Sequence, residues 1–297
     1  MRVFVTGATG FIGSAIVPEL LAAGHEVVGL ARSDAAADAL ARQGVAAHRG
    51  ELSDVESLTA AARACDGVIH TAFIHDFSRF ADNAAIDRRA VEAMVDALEG
   101  SGKPLVVTSG TAMLGAGRTR TEEDSPATDS PGAHRAATEG VVMDAARRGV
   151  RAMVLRLPPS VHGAGDHGFV PALIDFARRA GVAAYVGDGE NRWPAVHRLD
   201  AARLYRLALE NGAPGARVHG VAEEGIPMRA IAETIGLGLG LPVRGITPDE
   251  APAHFQWMAG FATIDNPTSS VLTRETLGWH PREAGLLDDM RESGYFS

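Results

Sequence analysis

"VTGATGFIGSAI", residues 5–16, sets Gly7, Gly10 and Gly13 between a β-branched run, "RVFVT" (2–6), and an amphipathic run, "FIGSAIVPELLAAG" (11–24). In a strand–turn–helix setting each glycine has its own task. Gly7 admits the tight turn, Gly10 lets backbone approach a diphosphate, and Gly13 lets the helix pack closely on the strand. The diphosphate then lies at the helix N-terminus, where unpaired amides and the helix dipole favour negative charge. A glycine triplet is weak evidence alone; its strand before, helix after and further units behind it make it specific. The segment therefore reads as a dinucleotide cradle formed by Gly7, Thr9, Gly10, Phe11, Ile12 and Gly13.

Outward from this cradle the chain repeats the pattern. "HEVVGLA" (25–31), "VAAHRG" (45–50), "GVIHTA" (67–72), "PLVVTS" (104–109) and "RAMVLRLP" (151–158) read as strands, with helices near 33–43, 53–64, 84–99 and 132–148 between them. Six strands separated by helices predict an α/β fold with a doubly wound parallel sheet, a Rossmann domain. After Pro158 the regularity loosens into "PPSVHGAGDHG" (158–168), a loop at the carboxyl edge of the sheet, where open α/β sheets hold ligands. A helix (169–180), a strand (183–189), a helix (199–211) and a strand (216–222) follow, then helices near 227–238, 249–259, 270–277 and 283–292. The expected division is a dinucleotide-binding domain, 1–157, rejoined by about 196–222, interleaved with a smaller, mainly helical C-terminal substrate lobe, 158–195 and 223–297.

The 297 residues are 46% hydrophobic, enough for a sizeable core. A formal net charge of −9 argues against nucleic acid or an acidic membrane surface as partner and leaves a small-molecule substrate as the expectation. The single cysteine, Cys65, excludes an intramolecular disulfide and a cysteine-rich zinc site. The N-terminal segment lacks the pattern of a secretory leader, and no run approaches the roughly 18–20 apolar residues of a membrane span, so a cytoplasmic protein is expected.

The end of the second strand discriminates between cofactors. A carboxylate there recognises a free ribose 2′-hydroxyl, whereas a 2′-phosphate requires a cation. "VVGLARSD" carries Ala31 at the acid's place, followed by Arg32 and Ser33, which fork onto and donate to a phosphate. NADP(H) is favoured, with NAD(H) as the alternative in which Asp34 reaches the ribose.

These residues resemble the short-chain dehydrogenase/reductase superfamily, in its extended branch of epimerases, dehydratases and related reductases. The matching pieces are "TGATGFIG" (6–13), "GELSD" (50–54), "VIHTA" (68–72), "RLPPSVHG" (156–163), "VGDGENRWPAVHRLDAARL" (186–204) and "LGWHP" (277–281), in the family's order. The resemblance implies that Glu51 and Leu52 lie beside the adenine and that Thr71 and Ala72 lie over the diphosphate and nicotinamide ribose. It places Pro158, Pro159, Ser160 and Val161 along the nicotinamide and His197 and Asp200 beneath the substrate lobe. It also implies a homodimer formed through the helices near 84–99 and 132–148, whose "AVEAMVDAL" and "ATEGVVMDAA" stretches are rich in small residues.

The chain departs from the family at the proton donor, a Tyr followed four residues later by a Lys. Counting back from Glu139 puts Pro131 at the Tyr position and Arg135 at the Lys position. Proline exchanges no proton, and arginine keeps its charge at all ordinary pH. In "VVTSGTAMLG" (106–115) the family's hydroxyl position is Gly110, with Ser109 and Thr111 on either side. Thr111, Ser109, Arg135 and a loop histidine are the catalytic candidates, with His75 of "TAFIHDF" preferred over His162 and His167. His162, Asp166 and His167 share a loop but lack metal-ligand spacing, so no metal is expected. "HFQWMAGF" (254–261) suits either an apolar pocket wall or core packing. The reading is an NAD(P)-dependent oxidoreductase acting on a small carbonyl or hydroxyl substrate, without the Tyr-x-x-x-Lys pair. Its alternatives are a non-catalytic NADP(H)-binding redox sensor and a nucleotide-sugar epimerase or dehydratase.

Overall fold

Strand β1 (Arg2–Thr6) is buried from its second residue onward, as a strand covered on both faces must be. Its side chains alternate: Val3 and Val5 enter one core cluster and Phe4 the opposite one. Around it β2 (Glu26–Ala31), β3 (Ala46–Arg49), β4 (Gly67–His70), β5 (Pro104–Gly110), β6 (Arg151–Leu157) and β10 (Arg217–His219) complete a seven-stranded sheet. The order is β3-β2-β1-β4-β5-β6-β10, and every neighbouring pair is parallel. The order reverses between β1 and β4, which opens a crevice at the carboxyl edge. The structure is a computed structural model and describes all residues except 77–78, 128–129 and 131–132.

Helices cover both faces. α1 (Gly13–Ala22), α2 (Asp34–Ala41) and α7 (Arg198–Asn211) bury Ile16, Leu20, Leu40, Leu204 and Tyr205 on one side. α3 (Val55–Ala64), α4 (Phe80–Leu98) and α5 (Ala136–Arg147) bury Leu58, Met94, Val95 and Val142 on the other. The expected long helix from 132 starts instead as a 3-10 turn, Ala133–Arg135, leaving Arg135 at the N-cap of α5.

The C-terminal lobe has its own core, packed around Trp193, Phe176 and Met258. It combines α6 (Phe169–Ala180), α8 (Met228–Leu239) and four short helices, α9 (Ala251–Phe255), α10 (Ala259–Ala262), α11 (Val271–Leu277) and α12 (Leu286–Glu292), with strands. β7 (Ser160–His162), β9 (Arg192–His197) and β11 (Glu223–Pro227) form one small sheet, while β8 (Ala183–Val186) and β12 (Val243–Ile246) form another. Of these five strands the periodicity announced β8 alone. The other four are 3–6 residues long and draw their order from tertiary partners. The predicted helix 249–259 is interrupted at Gln256, whose φ of 51° breaks α9 from the 3-10 turn Gln256–Met258. Among the described residues no helix is long and apolar enough to cross a membrane.

Candidate active site

The cradle has the geometry its glycines require. Gly7 turns at φ +68°, and a Cβ there would lie 2.7 Å from Thr71 Oγ1 and 2.8 Å from the Ala72 amide. A Cβ on Gly13 would lie 2.0 Å from the Gly7 carbonyl, so α1 can approach β1 only without one. Around Gly10 the sole close atom is the Gly7 oxygen, 3.2 Å from an added Cβ, leaving the rest of the approach to this backbone open. No side chain caps α1 and its first turn carries no acid, which suits an anion at that end. On these observations the residues fit a dinucleotide diphosphate.

A single cleft of about 1390 Å³ runs from this cradle along the carboxyl edge of the sheet. At its first end Arg32 and Ser33 sit beyond β2, opposite Glu51 and Leu52. The Ser33 hydroxyl oxygen accepts from the Ala36 amide at 3.2 Å and so caps α2 while its proton stays available to donate. Asp34 lies inside the first turn of α2 and pairs with Arg49 at 2.8 Å, which draws its carboxylate toward the end of β3. Arg32 and Ser33 thus present a cation and a donor where the strand end carries no acid.

In the middle of the cleft a buried chain of polar groups fixes the floor. The Thr6 hydroxyl shares a hydrogen bond with His70 Nδ1 at 2.8 Å, and His70 Nε2 meets Asp87 Oδ1 at 3.1 Å. Asp87 also accepts from Thr138 Oγ1 at 3.2 Å and lies 3.6 Å from the Arg135 guanidinium. Burial pushes the Asp87 carboxyl up, but Arg135, His70 and Thr138 outweigh it and hold it below the usual carboxylate range. The guanidinium is held further by its hydrogen bond to the Thr108 carbonyl at 2.8 Å and by the Phe73 ring, 4.3 Å beneath it. Arg135 reaches the cleft as a fixed cation, though not along the helix that a Tyr-x-x-x-Lys pair would need.

The hydroxyls divide. Ser109 lines the cleft, its Oγ donating to Met113 Sδ at 3.1 Å. Thr111 does not. β5 ends at Gly110 and turns into a 3-10 segment, Thr111–Leu114, that buries Thr111 completely and aims its hydroxyl at Asn266 Oδ1, 2.8 Å away. This corrects the expectation of Thr111 as a catalytic hydroxyl. Ser160 is a second correction. In β7 the alternation turns Val161 to the cleft and buries Ser160 and His162 inward. Pro131, at the family's Tyr position, lies outside the described residues.

None of the three tyrosines replaces the missing one at the cleft wall. Tyr205 is wholly buried, donates to Thr108 Oγ1 at 2.7 Å beneath β5, and has its pKa raised by that burial. Tyr295 donates to Asp166 at 2.9 Å, and Tyr185 packs under Arg229 in the lobe. The histidines separate too. His75 and His167 line the cleft, whereas His162 is interior and bonds Asp289 at 2.7 Å. Enclosure by the cleft, then the charges of Arg135 and His167, hold the His75 pKa below the ordinary histidine value. Asp166, beside His167, has its carboxyl raised by burial against the opposing pull of the Gly168 amide and Tyr295. His197 caps α7 through the Leu199 amide, and Asp200 accepts from the Arg282 and Glu283 amides at 2.8 and 3.0 Å, so both hold the fold together.

Gly7, Thr9, Gly10, Phe11, Ile12, Gly13, Thr71, Ala72, Pro158, Pro159 and Val161 all line the same cleft as the residues above. Sequence reasoning passed over Thr108, Phe73 and Phe169, and weighed Asp166 only as a metal ligand; all four line it as well. Position at a strand or helix end was the available signal for Thr108 and Phe169; nothing local marked Phe73.

The NAD dependent epimerase/dehydratase family model matches residues 3–219. An uncharacterized protein of Schizosaccharomyces pombe is 49% identical over the whole of both chains. The 4-hydroxy-2-methyl-3-oxo-4-farnesyl-3,4-dihydroquinoline-1-oxide ketoreductase of Stigmatella aurantiaca is 31% identical, covering 99% of this chain and 92% of its own. Among solved structures, the dTDP-glucose 4,6-dehydratase DesIV of Streptomyces venezuelae, with NAD and TYD bound, superposes with a TM-score of 0.80. It is 21% identical, over 100% of this chain and 96% of its own, and so shares the fold.

Proposed function

Because the chain belongs to the NAD dependent epimerase/dehydratase family, we propose that it is an NADP(H)-dependent oxidoreductase acting on a small carbonyl or hydroxyl substrate. The observation that carries this reading is the continuity of one cleft from the glycine cradle and Arg32 to Ser109, Arg135 and His75. The S. aurantiaca relative, a ketoreductase by name, supports it.

In this reading the amides around Gly10 hold the diphosphate, and Arg32 with Ser33 holds the 2′-phosphate. Arg135 holds the nicotinamide ribose, and Pro158 with Val161 lies along the nicotinamide. Bound NADPH supplies a hydride, so that a carbonyl gains hydride at carbon and a proton at oxygen, leaving an alcohol and NADP⁺. The chain's own task is to hold the oxygen and deliver the proton. Ser109 turns its hydroxyl from Met113 Sδ to donate a hydrogen bond to that oxygen, and the fixed charge of Arg135 stabilises the negative charge that develops there. Arginine shares no proton, so His75, at the cleft mouth, delivers it.

Calorimetric titration with NADPH and NADH, followed by a carbonyl screen at 340 nm, tests the proposal. NADPH is expected to bind more tightly. Arg32→Ala is expected to weaken NADPH about 10- to 150-fold, as loss of a charged hydrogen bond worth ~1.5–3 kcal/mol requires, and to leave NADH nearly unchanged. Tight NADPH binding with no turnover of any carbonyl points instead to a redox sensor.

A further inference from the structure

Beyond Arg135 the cleft changes character. On the sheet side its wall is Phe73 and Phe80, ring centroids 5.8 Å apart. On the lobe side Phe169 stands 4.9 Å from Phe261 and 5.7 Å from Trp257, and all three line the cleft. The folds that bring these rings together are unrelated in sequence: the segment after β4, the start of α6, and the broken helix around 256–262. Trp257 remains 47% exposed despite its size.

Charge runs the other way. Of the residues that line the cleft, the only Lys or Arg side chains are Arg32, at the far end beyond β2, and Arg135, stacked on Phe73. The six residues outside the description, 77–78, 128–129 and 131–132, include no Lys or Arg. The N-terminus of α6 opens here, yet its Gly168 amide is already bonded to the Asp166 side chain at 2.7 Å. Asp76 lines the same end. A diphosphate placed there would meet Asp166, Asp76 and aromatic faces, with the histidines His75 and His167 in place of any Lys or Arg beyond Arg135. The cleft also exceeds the ~300–1,000 Å³ of a single-ligand pocket, so a second molecule fits beside a dinucleotide.

We infer that the substrate end takes an uncharged ketone or aldehyde with an aromatic or branched alkyl body, and excludes nucleotide-diphosphate sugars. This rests on the oxidoreductase reading above and names the substrate class of that site. The rings clasp the apolar body while Ser109 and Arg135 face the carbonyl oxygen.

The test uses the full chain saturated with NADP⁺, with Trp257 as reporter; Trp193 and Trp279, the other two tryptophans, are buried. Aryl methyl ketones of increasing ring and alkyl size are titrated against UDP-glucose and UDP. Ketone quenching is expected to tighten about fourfold for each added methylene that is buried, as ~0.8 kcal/mol per methylene requires, with UDP-glucose and UDP silent. Trp257→Phe should abolish the signal yet keep ketone binding by calorimetry, and Trp257→Ala should raise the ketone KM about tenfold with the NADPH KM unchanged. Tighter binding of UDP-glucose, indifference to apolar size, or silence from every ketone in a chain that binds NADP⁺ overturns the inference. Failure to bind NADPH or NADP⁺ at all overturns the oxidoreductase reading beneath it.

Discussion

Arg135 occupies the place of a lysine and cannot do all that a lysine does. Its guanidinium is planar, permanently charged and pinned by the Thr108 carbonyl, Asp87 and the Phe73 ring. Such a group stabilises an oxyanion without ever giving up a proton, so proton delivery must be assigned elsewhere. His75 lies beside it in the cleft, with a pKa held below the ordinary histidine value by its enclosure and by the neighbouring positive charges. If the imidazolium form of His75 is the acid, carbonyl reduction must speed up as pH falls, because the protonated fraction rises as pH falls toward and through that lowered pKa and saturates only below it. Initial rates between pH 8 and 5.5, corrected for NADPH decay, should therefore rise toward acid and level off below the usual histidine midpoint. His75→Gln should flatten this limb while leaving the NADPH dissociation constant unaltered; an unchanged profile would remove His75 from the mechanism.

At the scale of elements, short strands decide which side chains meet the cleft. β7 has three residues, and its pleat alone selects Val161 for the cleft and sends Ser160 and His162 inward. β6 and β10 meet over another buried polar site. Arg156 forks onto Glu139 at 2.9 and 2.6 Å, and its third nitrogen faces His219 Nε2 at 3.3 Å. Since the guanidinium donates, Nε2 accepts, and Nδ1 donates to the Ser269 carbonyl at 2.8 Å. Burial, with Arg156 and Arg217 against the pull of Ser269, lowers the His219 pKa to about 3. An unfolded histidine has a pKa of about 6.5, so between those values the unfolded chain binds the extra proton. Stability tied to this ring is full above about pH 6.5 and falls as pH drops toward 3, by at most ~1.4 kcal/mol per pH unit. Urea midpoints at pH 7, 6 and 5 should decline accordingly, and His219→Gln should shallow that decline. An equal slope in the variant would show that other groups carry it.

At the scale of the whole molecule, α4 and α5 lie side by side on one face and are proposed as the surface through which two copies pair. Arg148, just past α5, bonds Asp96 and Glu99 at the end of α4 and ties the two helices into one unit. Gly140, in mid-α5, is exposed, and an added Cβ would meet nothing within 4 Å. A mid-helix glycine costs about 1 kcal/mol relative to alanine, and nothing among the described residues explains it; a closely packed second helix would. Solution scattering should give twice the 31.0 kDa of one chain, and Gly140→Glu should halve that mass without lowering thermal stability. A monomeric parent protein would remove this surface from consideration. Within one chain, the cradle of Gly7, Gly10 and Gly13 and the alternation of strand and helix were legible because they rest on local needs: a positive φ, a close approach, a buried face with a fixed period. The position counted from the family pattern misplaced Thr111, since a hydroxyl one residue past a strand end reveals its direction only when the following turn is known, and the resemblance misplaced Ser160, whose direction is set by the pleat of β7. The segment holding Trp257 read equally as pocket wall or core, and nothing in periodicity set Phe73 and Phe169 around the same cleft. These three rings come from three distant segments, and the packing of the lobe against the sheet edge, through contacts remote in sequence, alone decided that they face one another across a common space.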